Sequence, residues 1–230
     1  MAVIADELTQ TPSTLTDAFV EMAEQLRRST VQVRGRGPGG GSGVIWRADG
    51  LIITNAHVAR GPQAIVELAD GRTFDAVVTT RDERRDLAAL KVDATDLPAA
   101  LIGDSDALRV GALVLAVGNP LGLTGALTTG VVHAAASPDG PRQHGWVRAD
   151  VRLAPGNSGG PLADARGRVI GINSMIAGGL ALAVPSNAVE RFLAGNAARP
   201  ALGITMQPVR LPLDGRVIFG LLVMEAAAGS

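Results

Sequence analysis

A serine lies among glycines in the stretch APGNSGGPL, and its hydroxyl is the first candidate for chemistry in this chain of 230 residues. Glycine, asparagine, serine and proline all favour turns, so a surface turn is one interpretation. The other is that Ser158 is a nucleophile and that the glycines allow backbone N–H groups to point at one spot beside it. A serine hydroxyl is a weak nucleophile until a neighbouring base takes its proton, so the second interpretation requires a base elsewhere in the chain.

The candidate base is His57, in the stretch TNAHVA. It follows the apolar run LIIT and has small neighbours, so its imidazole could face a cleft. A lone histidine is more often a packed or surface side chain, and His57 alone decides nothing. We expect no function for His133 or His144. The three histidines are too scattered for metal-ligand spacing, so we predict no metal site and no cofactor.

The third candidate is Asp86, which begins the apolar run of RRDLAALKV. A solvated pair with Arg84 or Arg85 would explain this aspartate and would contribute little energy. A carboxylate at the start of an apolar strand needs a hydrogen-bond donor when it is buried, and an imidazole N–H is a suitable one. Beside His57 it would fix the tautomer of the imidazole and stabilise the imidazolium.

The order His57, Asp86, Ser158 is the chain order of chymotrypsin-type triads. The sequence resembles the trypsin-like protease domain of the HtrA/Deg family, and the resemblance covers residues 30 to 195 almost continuously. The matching stretches are GSGVIWRADGLIITNAHVA, DLAALKV, AVGNPLGLTGALTTGVV, VRADVRLAPGNSGGPL, GRVIGINS and LAVPSNAVE.

The resemblance implies an all-β fold of two six-stranded antiparallel β-barrels, with an N-terminal and a C-terminal helix. His57 and Asp86 would come from the first barrel and Ser158 from the second. It also implies a serine endopeptidase that acts on unfolded or misfolded proteins and assembles as a homotrimer. Two alternatives stay open, a peptide-binding, chaperone-like module whose protease site is idle and a structural subunit of a larger assembly.

An oxyanion hole is expected in the loop Gly156, Asn157, Ser158. The backbone N–H groups of Gly156 and Ser158 are the natural pair of donors, because Gly156 has no Cβ to obstruct the orientation of its peptide. Digestive relatives have an aspartate before the serine, and it binds a newly cut N-terminus. Asn157 cannot form that ion pair, so we expect substrate or oligomer contacts to order the site loops.

The walls expected to flank the P1 side chain, the substrate residue before the cut bond, contain no acid in residues 151–156 and 172–184. This excludes a partner for Lys or Arg. An apolar slot for small aliphatic residues is predicted from Leu153, Met175, Ile176 and Ala183. Arg152 would attract an acid if it pointed inward, but a solvated arginine is the expected state.

Composition and charge fit an ordinary globular protein, with 47% hydrophobic and 19% charged residues. The net charge of −1 provides no basic field for nucleic acid or an anionic membrane. The absence of cysteine excludes disulfides and thiolate chemistry. No signal peptide or apolar span is recognised, so membrane insertion is not expected. The chain as it stands would be cytoplasmic, and a trimmed chain periplasmic or cell-envelope by family resemblance.

Four segments are expected. They are a helical segment 1–29, two barrels at about 30–105 and 106–195, and a segment 196–230 whose stretches LGITM and GLLVMEAAAGS resemble an incomplete PDZ domain. Helical spacing predicts a helix from Thr14 to Arg28, and SNAVERFL is predicted as a second helix capped by Asn187 with Glu190 three residues on. Between them, short strands are predicted at TVQVR, SGVIW, LIIT, AIVELA, FDAVVTT, LAALKV, ALVLAVG, LTTGVVHAA, WVRAD, RVIGIN and LALAV.

Overall fold

The structure, a computed structural model, describes residues 14–35, 39–120, 124–135, 145–195, 204–213 and 216–226. Within them the short apolar runs form two closed antiparallel barrels of six strands each, which confirms the predicted fold class. His144 lies outside the described residues.

The first barrel has the strand order β1-β2-β3-β6-β5-β4 and is closed by pairing of β1 with β4. Its order around the barrel differs from the chain order only because β6 returns to pair with β3. The strands are β1 Thr30–Arg34, β2 Gly40–Arg47, β3 Leu51–Thr54, β4 Gln63–Glu67, β5 Thr73–Asp82 and β6 Leu87–Val92.

The second barrel repeats this arrangement with the order β10-β11-β12-β9-β8-β7, closed by pairing of β10 with β7. Five of its strands match the predicted runs, and β10 is additional. The strands are β7 Leu113–Gly118, β8 Ala126–Ala134, β9 Val147–Asp150, β10 Pro161–Asp164, β11 Val169–Ala177 and β12 Leu180–Pro185.

Strands at the junction of the two barrels are apolar on both faces, which explains why their sequences are continuous apolar runs. In β6, Ala88 and Leu90 pack inside the first barrel, whereas Leu87 faces the core shared by both barrels. In β7, Ala116 packs inside the second barrel and Leu115 joins the shared core. Alternation along each strand therefore fills two cores at once and fixes the barrels against each other.

Two helices close the shared core. The first, α1, runs over Leu15–Ser29 and begins at the cap Thr14, whose side chain accepts a hydrogen bond from the N–H of Asp17 at 3.1 Å. Leu26 of this helix is buried in the shared core. The expected helix is thus present within one residue at each end.

The second helix, α2, runs over Ser186–Leu193 and differs from the expectation in how its first turn is held. Asn187 is inside the helix, and its side chain donates to Asp104 Oδ1 at 2.7 Å instead of capping. Glu190 accepts a hydrogen bond from the indole Nε1 of Trp46 at 2.7 Å, so it binds β2 of the first barrel. The predicted capping box is therefore wrong, because both polar side chains bind neighbouring elements.

Residues 194–230 form a separate compact unit. Its described part is an antiparallel pair of strands, β13 Ile204–Leu213 and β14 Arg216–Ala226, with Leu213 opposite Arg216. The PDZ-like character of residues 196–230 stays a prediction. Of the helices in the described ranges, none has the length and apolar character needed to cross a membrane.

Candidate active site

The three predicted catalytic side chains all lie on loops at strand ends. His57 follows β3, Asp86 lies between β5 and β6, and Ser158 lies between β9 and β10. His57 and Asp86 therefore belong to the first barrel and Ser158 to the second. A loop carried by a closed barrel can hold a reactive side chain rigidly while leaving it open to solvent.

The carboxylate of Asp86 accepts hydrogen bonds from two groups of His57, the imidazole and the backbone N–H. The imidazole Nδ1 lies 2.8 Å from Oδ2 and 2.9 Å from Oδ1, and the backbone N–H of His57 donates to Oδ1 at 3.1 Å. The side chain of Asp86 is 13% exposed, while that of His57 is 43% exposed. The pair thus has a buried acid and a ring that is open on its far side.

Asp86 is held in a backbone conformation that few residues adopt, with φ of 54°. Its carbonyl oxygen accepts a hydrogen bond of 2.9 Å from the side-chain amide of Asn55, a residue buried at the end of β3. Asn55 also accepts the N–H groups of Val58 and Ala59, which forms the turn that carries His57. One asparagine therefore ties the His57 loop to the Asp86 loop.

Ser174, in β11, connects the acid to the serine. Its hydroxyl donates to Asp86 Oδ2 at 2.5 Å, and its carbonyl oxygen accepts the hydroxyl of Ser158 at 2.8 Å. This residue is 3% exposed and is contributed by the second barrel. Within the described structure the Ser158 hydroxyl thus donates to Ser174 rather than to His57. Ser174 was not predicted from the sequence, where its only signal is a polar pair at the end of the apolar run RVIGIN.

The pKa of Asp86 lies below its usual range. Burial alone would raise this pKa, but the hydrogen bonds from His57 and Ser174 favour the carboxylate and outweigh the burial. An ionised Asp86 accepts from Nδ1, so that nitrogen carries the proton and Nε2 is the acceptor of the neutral ring.

Backbone N–H groups around Ser158 divide into two sets. Those of Asn157, Gly159 and Gly160 donate within the protein, to the carbonyl oxygens of Ala154, Asn173 and Asn157. Among the described residues, the N–H groups of Gly156 and Ser158 have no acceptor. Asn157, which the sequence analysis included in the oxyanion loop, has its N–H occupied.

Ser42, in β2, holds this loop from the first barrel. Its hydroxyl donates to the carbonyl oxygen of Gly156 at 2.7 Å and accepts the N–H of Asn119 at 2.9 Å. Its own N–H donates to the carbonyl oxygen of Ser158 at 2.7 Å. Sequence reasoning missed this residue, although it lies in the matching stretch that begins GSGVIW. It therefore fixes the peptide that joins Gly156 to Asn157 and the peptide that joins Ser158 to Gly159.

Two glycines of the loop are required by space and by conformation. Gly156 has φ of 107°, and a Cβ there would lie 2.5 Å from the carbonyl oxygen of Asn119. Gly159 has φ of 86°, and a Cβ there would lie 2.0 Å from the carbonyl oxygen of Ser42. A side chain at either position would therefore collide with backbone atoms of a neighbouring segment, so both positions require glycine.

The residues predicted to line the P1 pocket differ in their exposure to solvent. Met175 and Ile176 follow Ser174 on β11 and are 45% and 56% exposed, whereas Leu153 is partly buried against the core of the second barrel. Ala183 is 1% exposed and belongs to that core. Arg152 is exposed, as expected for a solvated arginine.

Comparison with known proteins shows the family to which the chain belongs. Residues 41–172 match the model of the trypsin-like peptidase domain. The chain therefore belongs to the trypsin-like peptidases and, by its relatives, to the HtrA/Deg family.

Three relatives show the extent of the similarity. HhoA of Synechocystis is 41% identical over 84% of this chain and 56% of its own length. The serine protease HTRA1B of Danio rerio is 39% identical over 79% of this chain and 40% of its own. A DegP-like periplasmic serine endoprotease of Halomonas elongata is 43% identical over 74% and 38%. The matched region thus spans from 38% to 56% of these proteins.

Proposed function

We propose that this protein is a serine endopeptidase that uses His57, Asp86 and Ser158 as a catalytic triad. The observation that carries the proposal is the bridge formed by Ser174, which donates to Asp86 and accepts from Ser158 while Asp86 holds His57. Three side chains from two barrels are thereby gathered at one place, as nucleophilic catalysis requires.

The chemistry proceeds by proton transfer and acyl transfer. The Ser158 hydroxyl leaves the carbonyl oxygen of Ser174, donates to Nε2 of His57, and attacks the carbonyl carbon of the substrate as the proton moves to the ring. Asp86 stabilises the imidazolium through Nδ1. His57 then protonates the departing amine, which leaves an acyl group on Ser158. Water, activated by the same ring, releases the acyl group.

The tetrahedral intermediate carries a negative oxygen that needs donors. The free N–H groups of Gly156 and Ser158 supply them, and the bond from Ser42 to the Gly156 carbonyl keeps the adjacent peptide from turning. Asn157 contributes to this loop through its carbonyl oxygen, which accepts the N–H of Gly160.

Unfolded or misfolded polypeptides with small aliphatic P1 residues are the proposed substrates. Met175, Ile176 and Leu153 are the proposed apolar contacts of the P1 side chain, and burial of a valine or alanine against them would be favoured by about 25 cal/mol per Å² of apolar surface. Ala183, which is buried in the core of the second barrel, is the proposed floor of the slot. A P1 lysine would enter without an acidic partner.

Incubation with unfolded casein tests the proposal. The native chain is expected to cut casein and to be labelled by a fluorophosphonate. Ser158→Ala is expected to lose both while keeping its unfolding midpoint. Ser29→Ala, a serine of α1 whose hydroxyl bonds Leu26, is the control and should retain both activities. Cleavage by Ser158→Ala would contradict the assignment, and casein binding without cleavage by the native chain would favour the chaperone-like alternative.

Mapping of the cut sites tests the P1 preference. Cuts after valine, alanine, leucine or isoleucine are expected to predominate. Cuts mainly after Lys or Arg would contradict the apolar slot, and cuts mainly after Asp or Glu would assign Arg152 to the pocket.

The homotrimer implied by the family resemblance is part of the same proposal. Light scattering is expected to give about three times the chain mass of 23.5 kDa. A mass of one chain at micromolar concentration would contradict it.

A further inference from the structure

A cleft of about 260 Å³ opens beside His57 on the side of the first barrel. It is lined by Ala56, His57, Arg60, Arg81, Glu83 and Asp86. The proposed P1 residues Leu153, Met175, Ile176 and Ala183 belong to the second barrel, so this cleft is a different part of the site.

Arg60 is fixed at the edge of the cleft by its own loop. Its Nε donates to the carbonyl oxygen of His57 at 2.9 Å, and its carbonyl oxygen accepts Nη1 of Arg81 at 2.5 Å. Within the described ranges, neither Nη group of Arg60 has an acceptor. The guanidinium is therefore positioned next to the imidazole with both Nη groups unused.

The other charges of the cleft are already paired. Arg81 binds Glu83 at 2.5 Å, and Asp86 is occupied by His57 and by Ser174 behind it. The charge that remains for a ligand is that of Arg60. A guanidinium with two free N–H edges binds a carboxylate best, because the two groups match in a bidentate geometry.

We propose that Arg60 makes this site select substrates with an acidic residue next to P1, either before it (P2) or after the cut bond (P1′). The inference rests on the proposed peptidase activity, since a peptide whose cut bond lies at Ser158 must pass the imidazole, where the cleft begins. A residue adjacent to P1 is the one whose side chain can enter a cleft lined by His57. The first barrel would thus select an acidic substrate residue next to P1, and the second barrel an apolar residue at P1.

The test uses quenched-fluorescence peptides that share a P1 valine and differ only in Glu, Gln or Lys at P2 or at P1′. For the native chain, kcat/KM for the Glu peptide is expected to exceed that for the Gln peptide by about two- to tenfold at one of the two positions. The ratio should fall when NaCl is raised from 20 to 500 mM, because salt screens a partly exposed pair.

Substitutions at Arg60 are expected to change this ratio in a graded way. In Arg60→Gln the Glu/Gln ratio should fall to about one, in Arg60→Lys it should stay above one, and in Arg60→Glu the Lys peptide should become the preferred one. The control is Arg84→Gln, because Arg84 is exposed on the same loop as Glu83 and does not line the cleft. This variant should keep the native ratio.

The outcomes separate this inference from the proposed function. Cleavage of all peptides with a native Glu/Gln ratio of one at both positions, or with a ratio unaffected by Arg60→Gln, would overturn the role of Arg60 and leave the peptidase intact. If the native chain cleaves none of the peptides, and the native chain and Ser158→Ala have the same unfolding midpoint, both the role of Arg60 and the proposed peptidase activity would be overturned.

Discussion

The acid of the proposed triad is stabilised as an anion by contacts from both barrels. Asp86 accepts from His57 of the first barrel and from Ser174 of the second, and these bonds more than offset the cost of its burial. Because two barrels share one carboxylate, the charge of Asp86 contributes to the stability of the fold as well as to the orientation of His57.

That charge predicts a pH dependence of stability. The folded pKa of Asp86 is lowered, so its stabilisation is fully present above the unfolded pKa of about 4 and is lost as the pH falls through the lower folded pKa. Asp86→Asn lacks this contribution. Urea midpoints measured from pH 6 to pH 2.5 should show a constant gap between native and variant above about pH 5 that narrows below about pH 4. A gap that stays constant to pH 2.5 would contradict the lowered pKa.

Ser42 is expected to act on the reaction through the oxyanion loop. In Ser42→Ala the carbonyl of Gly156 loses its donor, so the peptide that orients the free N–H groups is less well fixed. We expect kcat to fall by about tenfold or more with little change in KM, since the loss of a whole oxyanion donor costs about 10²- to 10³-fold.

A matched variant separates this effect from a loss of stability. Ser186 is as fully buried as Ser42 and its hydroxyl donates to the carbonyl oxygen of Gly103 at 2.7 Å, away from the site. Ser186→Ala should lower the unfolding midpoint to a similar degree and leave kcat near the native value. Equal kcat losses in the two variants would assign Ser42 a structural role only.

A hydrogen bond joins α2 to β2 of the first barrel. Trp46 of β2 donates to Glu190 at 2.7 Å, and Phe192 of the same helix packs in the shared core. The helix follows β12 of the second barrel directly, so this bond connects the two barrels behind the site. Its removal should weaken that connection.

A double-mutant cycle measures the contribution of this bond. Trp46→Phe, Glu190→Ala and the double variant should show a coupling free energy of about 1 to 2 kcal/mol in urea unfolding, because one partner is charged and the bond is partly buried. The cycle removes the packing loss of the smaller ring from the comparison. A coupling near zero would show that the helix is held by its apolar face alone.

The elements also show which parts of the fold the sequence could predict. Eleven apolar runs and two helices were recognised, since alternation and helical spacing are local signals. The twelfth strand, β10 Pro161–Asp164, was missed because it has only four residues, begins with proline and follows the glycine-rich loop directly. Its pairing with β7 and β11 defines it, and those partners are distant in sequence or separated by a turn.

In the candidate site too, only the residues with a local sequence signal could be predicted. His57, Asp86 and Ser158 have reactive side chains in a known chain order, so they could be proposed from the sequence as candidates. Ser174 and Ser42 act through backbone carbonyls and through partners 88 and 114 residues away, which no local pattern reveals. The occupied N–H of Asn157 likewise depends on the turn of its loop.

The two barrels approach each other closely at the loop that carries Ser158, and this approach determines where the loop lies. The loop of the second barrel lies against β2 of the first, with the N–H of Ser42 on the carbonyl oxygen of Ser158 and Gly159 directly over the backbone of Ser42. The proposed active site lies where these two backbones touch. Any atom inserted there moves one barrel relative to the other.

Gly159→Ala tests this dependence. The new Cβ would lie 2.0 Å from the carbonyl oxygen of Ser42 and 2.3 Å from Oγ1 of Thr54, so the barrels must separate. The variant combines strain at φ of 86°, about 1 to 2 kcal/mol, with overpacking of about 1 to 3 kcal/mol, and it displaces the free N–H of Ser158.

Gly111→Ala is the matched control for that variant, because Gly111 has a similar φ of 84° and no atom within 4 Å of the added Cβ. It should lose only the strain energy, about 1 to 2 kcal/mol, and keep the native rate on peptides. Gly159→Ala should lose more stability and nearly all fluorophosphonate labelling at temperatures where it is still folded. Labelling of Gly159→Ala at the rate of Gly111→Ala would mean that contact between the barrels does not position the serine, and that the second barrel holds Ser158 by itself.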